Sequence, residues 1–296
     1  MKPIFQQLLE AKSILLEDFE DDAKTIMGKD LAGAVASLKT KASDSEFQQG
    51  ATSGKSDGAD NDESADFATK PIEASKMFPT QKEIGFGKSL HDLCQDKYGA
   101  IDSAFGNPVF MPSPDGKIPI MCAELGGNIA ILDGHHRWSS CFMINPDAKM
   151  ACDIMKGDFQ RPEDALKAMQ FAIAAKAGKI ATKGMDGKDL MTESGQAVED
   201  YVLENIGEKE IGLFKKHKPE LDSKEKIAKY VRANHAKIAK MRGAFPRAIM
   251  PQAGENNLDQ GDVNKAIEKG EINFSPPYVK ESSLKETLQR RAGIKK

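Results

Sequence analysis

The chain has 296 residues, 40% of them hydrophobic and 29% charged, with a net charge of -3 and a mean hydropathy of -0.49. That length holds one sizeable domain with attachments or two small ones, and the low apolar share implies that part of it is solvated helix or linker. The charge balance excludes a whole-chain attraction for nucleic acid, and no apolar run reaches the roughly 20 residues of a membrane span.

Residues 1–40 read as an N-terminal amphipathic helical segment. Ile4, Phe5, Leu8, Leu9, Ile14, Leu15, Leu16 and Phe19 recur at helical spacing. Such a face needs a partner, either the protein's own C-terminal region or a second protein. Met1-Lys2-Pro3-Ile4 lacks the apolar core of a signal peptide, so a soluble, intracellular protein without membrane contact is expected. Residues 41–68 form a disordered acidic Ser/Gly linker, because a stretch this poor in large apolar residues cannot offset its ordering entropy. Within it, Gly50-Ala51-Thr52-Ser53-Gly54-Lys55-Ser56 is one residue short of a P-loop and follows no strand, so no phosphate site is expected there.

Residues 69–157 carry the signals of a compact α+β domain. Lys70 to Gln81 reads as a short strand entering a loop. A helix is predicted from Lys88 to about Tyr98, with Ser89 as its cap. Pro108–Met111 and Ile118–Glu124 read as strands around the turn Ser113-Pro114-Asp115-Gly116, and Ile129–Leu132 as another. A helix runs from His135 to about Ile144, and Met150–Met155 is the last strand. Trp138 is read as core. Cys94, Cys122, Cys141 and Cys152 form no Cys-x-x-Cys pair, which points to buried free thiols rather than zinc.

Residues 158–243 are a mainly helical region. One helix begins at Arg161-Pro162-Glu163-Asp164, a second covers Val198–Ile206, and a third starts near Asp222-Ser223. The third carries Ile227, Tyr230, Val231, Ile238 and Met241 on one face. Its other face is basic from Lys224 to Arg242, either as plain solvated surface or as a DNA contact. Residues 244–296 are a loop-rich tail with short helices, opening on a Phe245–Gly261 loop of the length that is often functional or disordered.

The segment that points to chemistry is Ile129-Ala130-Ile131-Leu132-Asp133-Gly134-His135-His136-Arg137. A strand ends at an acid and a glycine, and a helix begins. Such a turn offers backbone N–H groups and the positive end of the helix dipole to an anion. Asp133 is placed to hold a metal or a proton, and His136 and Arg137 to grip phosphate. His135 is a candidate acid–base group, or a group that orients Asp133.

Pro79-Thr80-Gln81-Lys82-Glu83-Ile84 with Lys88-Ser89-Leu90, followed by Asp133-Gly134-His135-His136-Arg137, resembles the ParB/sulfiredoxin superfamily over about Lys70 to Met155. The turn is closest in motif to the ATP-dependent, free-serine-kinase-like members. The resemblance implies a ParB/sulfiredoxin-like domain of mixed sheet and short helices, ahead of the helical C-terminal region. It implies nucleotide binding through Gly134, His136, Arg137, Gln81, Lys88 and Ser89. It also implies Mg²⁺ at Asp133 and catalysis by Asp133, His135 and Glu83. His135 stands where sulfiredoxins carry their catalytic cysteine, so peroxiredoxin repair is not expected. The arginine-rich turn and helix-turn-helix of partition proteins are missing. The expected function is an ATP- or other NTP-binding, Mg²⁺-dependent phosphotransferase or NTPase. The alternatives are a ParB-like DNA-binding protein or nuclease, and a non-enzymatic accessory or virion-associated protein. ParB-like domains also occur in bacteriophage proteins, so the expected location is the cytoplasm (of a host, if phage-encoded) or the virion.

Overall fold

The computed structural model describes residues 66–106, 119–125, 128–156, 187–241, 243 and 247, with single positions between 33 and 45. The chain divides into two units. One comprises Met1–Asp66, Lys156–Lys183 and Ile249–Lys296 and lies almost wholly outside the described residues. The other, Phe67–Met155 with Gly184–Ala248, carries the architecture below. The predicted N-terminal helix and its protein partner, nearly all of the linker, the Pro108–Met111 strand, the helix at Arg161 and the tail beyond Arg247 fall outside the described residues.

One mixed five-stranded sheet organises the second unit, and at this coarse level the fold is α+β as expected. Its strands are β1 (Asp66–Glu73), β2 (Met77–Pro79), β3 (Ile120–Leu125), β4 (Asn128–Asp133) and β5 (Lys149–Lys156), in the order β1-β5-β3-β4-β2. Ile129 to Leu132 of β4 are all buried. A continuous apolar run of this kind marks a strand covered on both faces. β4 runs antiparallel to β3 and parallel to β2, with Met77 opposite Ile129 and Pro79 opposite Ile131.

Among the described residues there are six α-helices: α1 (Phe86–Cys94), α2 (Ala100–Gly106), α3 (His135–Ile144), α4 (Gly195–Asn205), α5 (Glu208–His217) and α6 (Lys224–Ile238). α3 is the hub and packs on α1, α2 and α6. Trp138 through Ile144 are all buried. Trp138 meets Phe142 edge-on at 5.6 Å and donates its Nε1–H to the Ala74 carbonyl at 2.9 Å, so the single tryptophan is core as read from the sequence. All four cysteines are free and buried. Burial pushes the Cys94 and Cys141 thiols up to about 12. Ser194 and Ser223 cap α4 and α6 by accepting from the Ala197 and Lys226 amides.

The predicted Lys88–Tyr98 helix needs two corrections. Gly85, not Ser89, is the cap, because the Phe86 amide is held by the Lys188 carbonyl and the helix starts there. Ser89 sits inside the helix, with its hydroxyl donating to the Gly85 carbonyl at 3.0 Å. The helix also ends early, at Cys94, since Asp96 and Tyr98 adopt left-handed backbone with φ of 45° and 63°. α2 and α5 have no predicted counterpart. They hold each other: Phe105 packs edge-on against Phe214 at 5.9 Å, and Asp102 pairs with His217 at 2.7 Å and Lys216 at 3.0 Å. Short helices of weak pattern form through such packing rather than through propensity.

Candidate anion site at the start of α3

Because β2 and β4 are parallel neighbours, the chain leaves both strands at the same edge of the sheet. Ligands of open sheets bind at such an edge. From β4 the chain turns at Gly134 into α3. From β2 it runs through Thr80–Gly85 into α1. Gly134 has φ 101°, and a Cβ there would lie 2.6 Å from Ile120 Cδ1 and 3.1 Å from Arg137 Nη2. Backbone conformation and space therefore both require glycine. The first helical bond runs from the Trp138 amide to the Gly134 carbonyl, so the amides of His135, His136 and Arg137 precede the helical ladder.

His135 is buried, and its Nε2 accepts from two backbone amides, Thr80 at 3.2 Å and Gln81 at 3.3 Å. Two donors on Nε2 fix the proton on Nδ1. Burial, with the nearby His136 and Arg247 charges, pushes the ring down to about 3. Its accepting nitrogen is saturated by the backbone, and the ring ties the loop after β2 to the start of α3.

His136 faces the other way, toward α1. Its Nδ1 lies 3.2 Å from Ser89 Oγ, and Ser89 Oγ also accepts from Ser139 at 2.9 Å. Gly85 lets the ring approach, since a Cβ there would sit 2.9 Å from His136 Cε1. Burial pushes the His136 ring down to about 3, helped by the Lys88 and Arg247 charges. His136 is thus neutral at physiological pH. The positive charge at this turn comes from its neighbours. Lys88 is exposed on the first turn of α1, and the Nη1 of Arg247 reaches His136 Nε2 at 3.4 Å.

Arg137 lies beside Gly134, with its guanidinium 3.6 Å from the half-exposed Asp133 carboxylate. Glu83 accepts the Arg247 amide at 2.8 Å. The two carboxylates of the expected site therefore engage two different arginines. Gln81 is buried, and its Oε1 has no hydrogen-bond partner among the described residues. Among those residues no three His, Cys, Asp or Glu side chains group as a metal site. A lone carboxylate at the helix start suits a Mg²⁺ ion that arrives with phosphate oxygens and water, because Mg²⁺ keeps much of its hydration and needs few protein ligands.

Two contributors escape sequence reasoning. Asp189 accepts from the Ile84 and Met191 amides at 2.9 and 3.0 Å, and the Leu190 amide returns to the Ile84 carbonyl at 2.7 Å. Asp189 thereby anchors the loop that carries Glu83 and Gly85. An Asp three residues before Thr192 is a turn signal, but nothing local says which strand it braces. Arg247 is the other, in a stretch recognisable only as a long loop. The basic α6 face is partly occupied by the protein itself: Lys226 pairs with Asp222 and Arg232 with Glu199, each at 2.7 Å.

No family model matches the chain, and no curated protein or solved structure matches it either.

Proposed function

We propose that this protein binds the phosphate chain of a nucleotide at the start of α3 and acts as a Mg²⁺-dependent phosphotransferase or NTPase using ATP or another NTP. One observation carries the reading. Lys88 and Arg247 act on the His136 ring, and Arg137 lies beside the left-handed glycine on which α3 opens, so three cations belong to the residues that form this turn and its neighbours. Helix-start amides and cations are what a phosphate chain requires. Phosphoryl transfer depends on positioning and charge stabilisation more than on covalent help from the protein. Asp133 is the residue that would hold Mg²⁺, and the ion would offset charge on the phosphate oxygens. Gln81 Oε1 offers a buried acceptor to a donor on the ligand. With His135 saturated by backbone, proton acceptance from an attacking hydroxyl or water falls to a carboxylate, Glu83 on the loop or Asp133 at the turn. The likeness of the Asp133–Arg137 turn to ATP-binding ParB/sulfiredoxin members supports the same reading.

Isothermal titration of the full chain with ATP, CTP and GTP, with and without Mg²⁺, tests it. Binding of at least one nucleotide is expected, weakened about tenfold or more by Arg137→Ala, since a charge-assisted hydrogen bond contributes roughly 1.5–3 kcal/mol. Absence of binding by every nucleotide, with the protein folded, sinks the reading.

A further inference from the structure

Arg247 reaches α3 from far along the chain, and three contacts bring it there. Its amide donates to Glu83 Oε2 at 2.8 Å, its Nη1 donates to His136 Nε2 at 3.4 Å, and Gly243 packs directly on the Gln81–Lys82 backbone, where any Cβ would overlap the Gln81 carbonyl. The hydrogen bonds around His136 explain why a cation faces that ring. The Ser89 hydroxyl donates to the Gly85 carbonyl and accepts from Ser139, so it meets Nδ1 as an acceptor. The imidazole proton therefore sits on Nδ1, and Nε2 presents a lone pair that only a donor can satisfy. Arg247 is that donor.

We propose that Arg247 is a phosphate-binding residue of the α3 site, positioned there by its contacts with Glu83 and His136. This rests on the nucleotide reading above and deepens it. It assigns Glu83 a positioning role through its carboxylate. The remaining site cations, Lys88 and Arg137, come from α1 and α3 themselves. Arg247 thus makes phosphate binding depend on a segment that follows α6.

The test is titration of the full chain with ATP and with tripolyphosphate, for wild type, Arg247→Ala, Arg247→Lys, Arg137→Ala, Glu83→Ala and the Glu83→Ala/Arg247→Ala double variant. A thermal melt of each confirms folding, and Lys226→Ala controls for loss of a remote surface charge. Arg247→Ala is expected to weaken both ligands by about ten- to a hundredfold, the range of one charge-assisted hydrogen bond. Arg247→Lys should recover part of the loss, and the double variant should be no worse than Arg247→Ala alone. The His136 ring should protonate at higher pH in Arg247→Ala, because the guanidinium charge beside it is gone. If Arg247→Ala binds like wild type while Arg137→Ala does not, the inference fails and the nucleotide reading stands. If the Glu83 and Arg247 losses add in full, the positioning role of Glu83 is wrong. If wild type binds neither ATP nor tripolyphosphate, both fall. Should Arg247→Ala not fold, Arg247→Gln carries the same comparison.

Discussion

Lowering the pH from 7 to 5 is expected to remove about 2 kcal/mol of stability through His135 alone, from the linkage between protonation and folding. The ring is neutral in the fold, pushed from 6.5 down to about 3 by burial first and by the His136 and Arg247 charges second. The unfolded chain therefore takes up the proton before the folded one does. Stability from this group is present above pH 6.5 and is lost as pH falls toward 3. The slope in that window is about 1.4 kcal/mol per pH unit, so the step from 6.5 to 5 gives about 2 kcal/mol. The figure depends little on the folded value, because pH 5 lies well above it. His136, depressed by burial with Lys88 and Arg247, contributes a loss of the same sign in the same window. His135→Gln isolates the effect, since its amide oxygen can still accept from Thr80 and Gln81 but does not titrate. Urea denaturation of wild type and His135→Gln at pH 7 and pH 5 should show the wild type losing about 2 kcal/mol more than the variant. Parallel losses, or a His135 ring that titrates near 6.5 by NMR in the folded protein, would refute the buried neutral latch.

Three further outcomes follow from the geometry. Gly134→Ala should cost about 2 kcal/mol or more in urea denaturation, from left-handed backbone and the contact 2.6 Å from Ile120 Cδ1. Because Ile120→Val removes that methyl, the double variant should be less destabilised than the sum of the two single changes. Asp189→Ala strips the Ile84 and Met191 amides of their shared acceptor and should cost about 1–3 kcal/mol for each amide left unpaired; unchanged stability would show that the 187–194 turn does not brace the site loop. All four thiols should resist a thiol reagent at pH 8 in the native protein and react fully in urea, as burial and the raised Cys94 and Cys141 values require.

Much of the site was legible because it is local. Ile129 to Arg137 announces a buried strand, a glycine turn and a helix start, and a single stretch of chain decides all three. The helix from His135 to Ile144 and the cap at Ser223 follow from short-range chemistry in the same way. What the two histidines do was not legible. From the sequence His135 reads as an acid–base group and His136 as part of a phosphate grip, and neither reading contains the burial and partners that the fold supplies. The backbone amides of Thr80 and Gln81 turn His135 into an acceptor, and burial first, with the Lys88 and Arg247 charges, keeps His136 neutral. Ser89 likewise reads as a cap from its position, but pairing of Phe86 with Lys188 moves the helix start.

The sequence by itself determined the strand, turn and helix that form the candidate anion site, because hydrophobic runs, glycine backbone freedom and helix periodicity act over a few residues. The tertiary structure decided which charges surround that site and which protons its histidines carry. Charge and protonation depend on burial and on partners such as Asp189 and Arg247, which approach from distant parts of the chain.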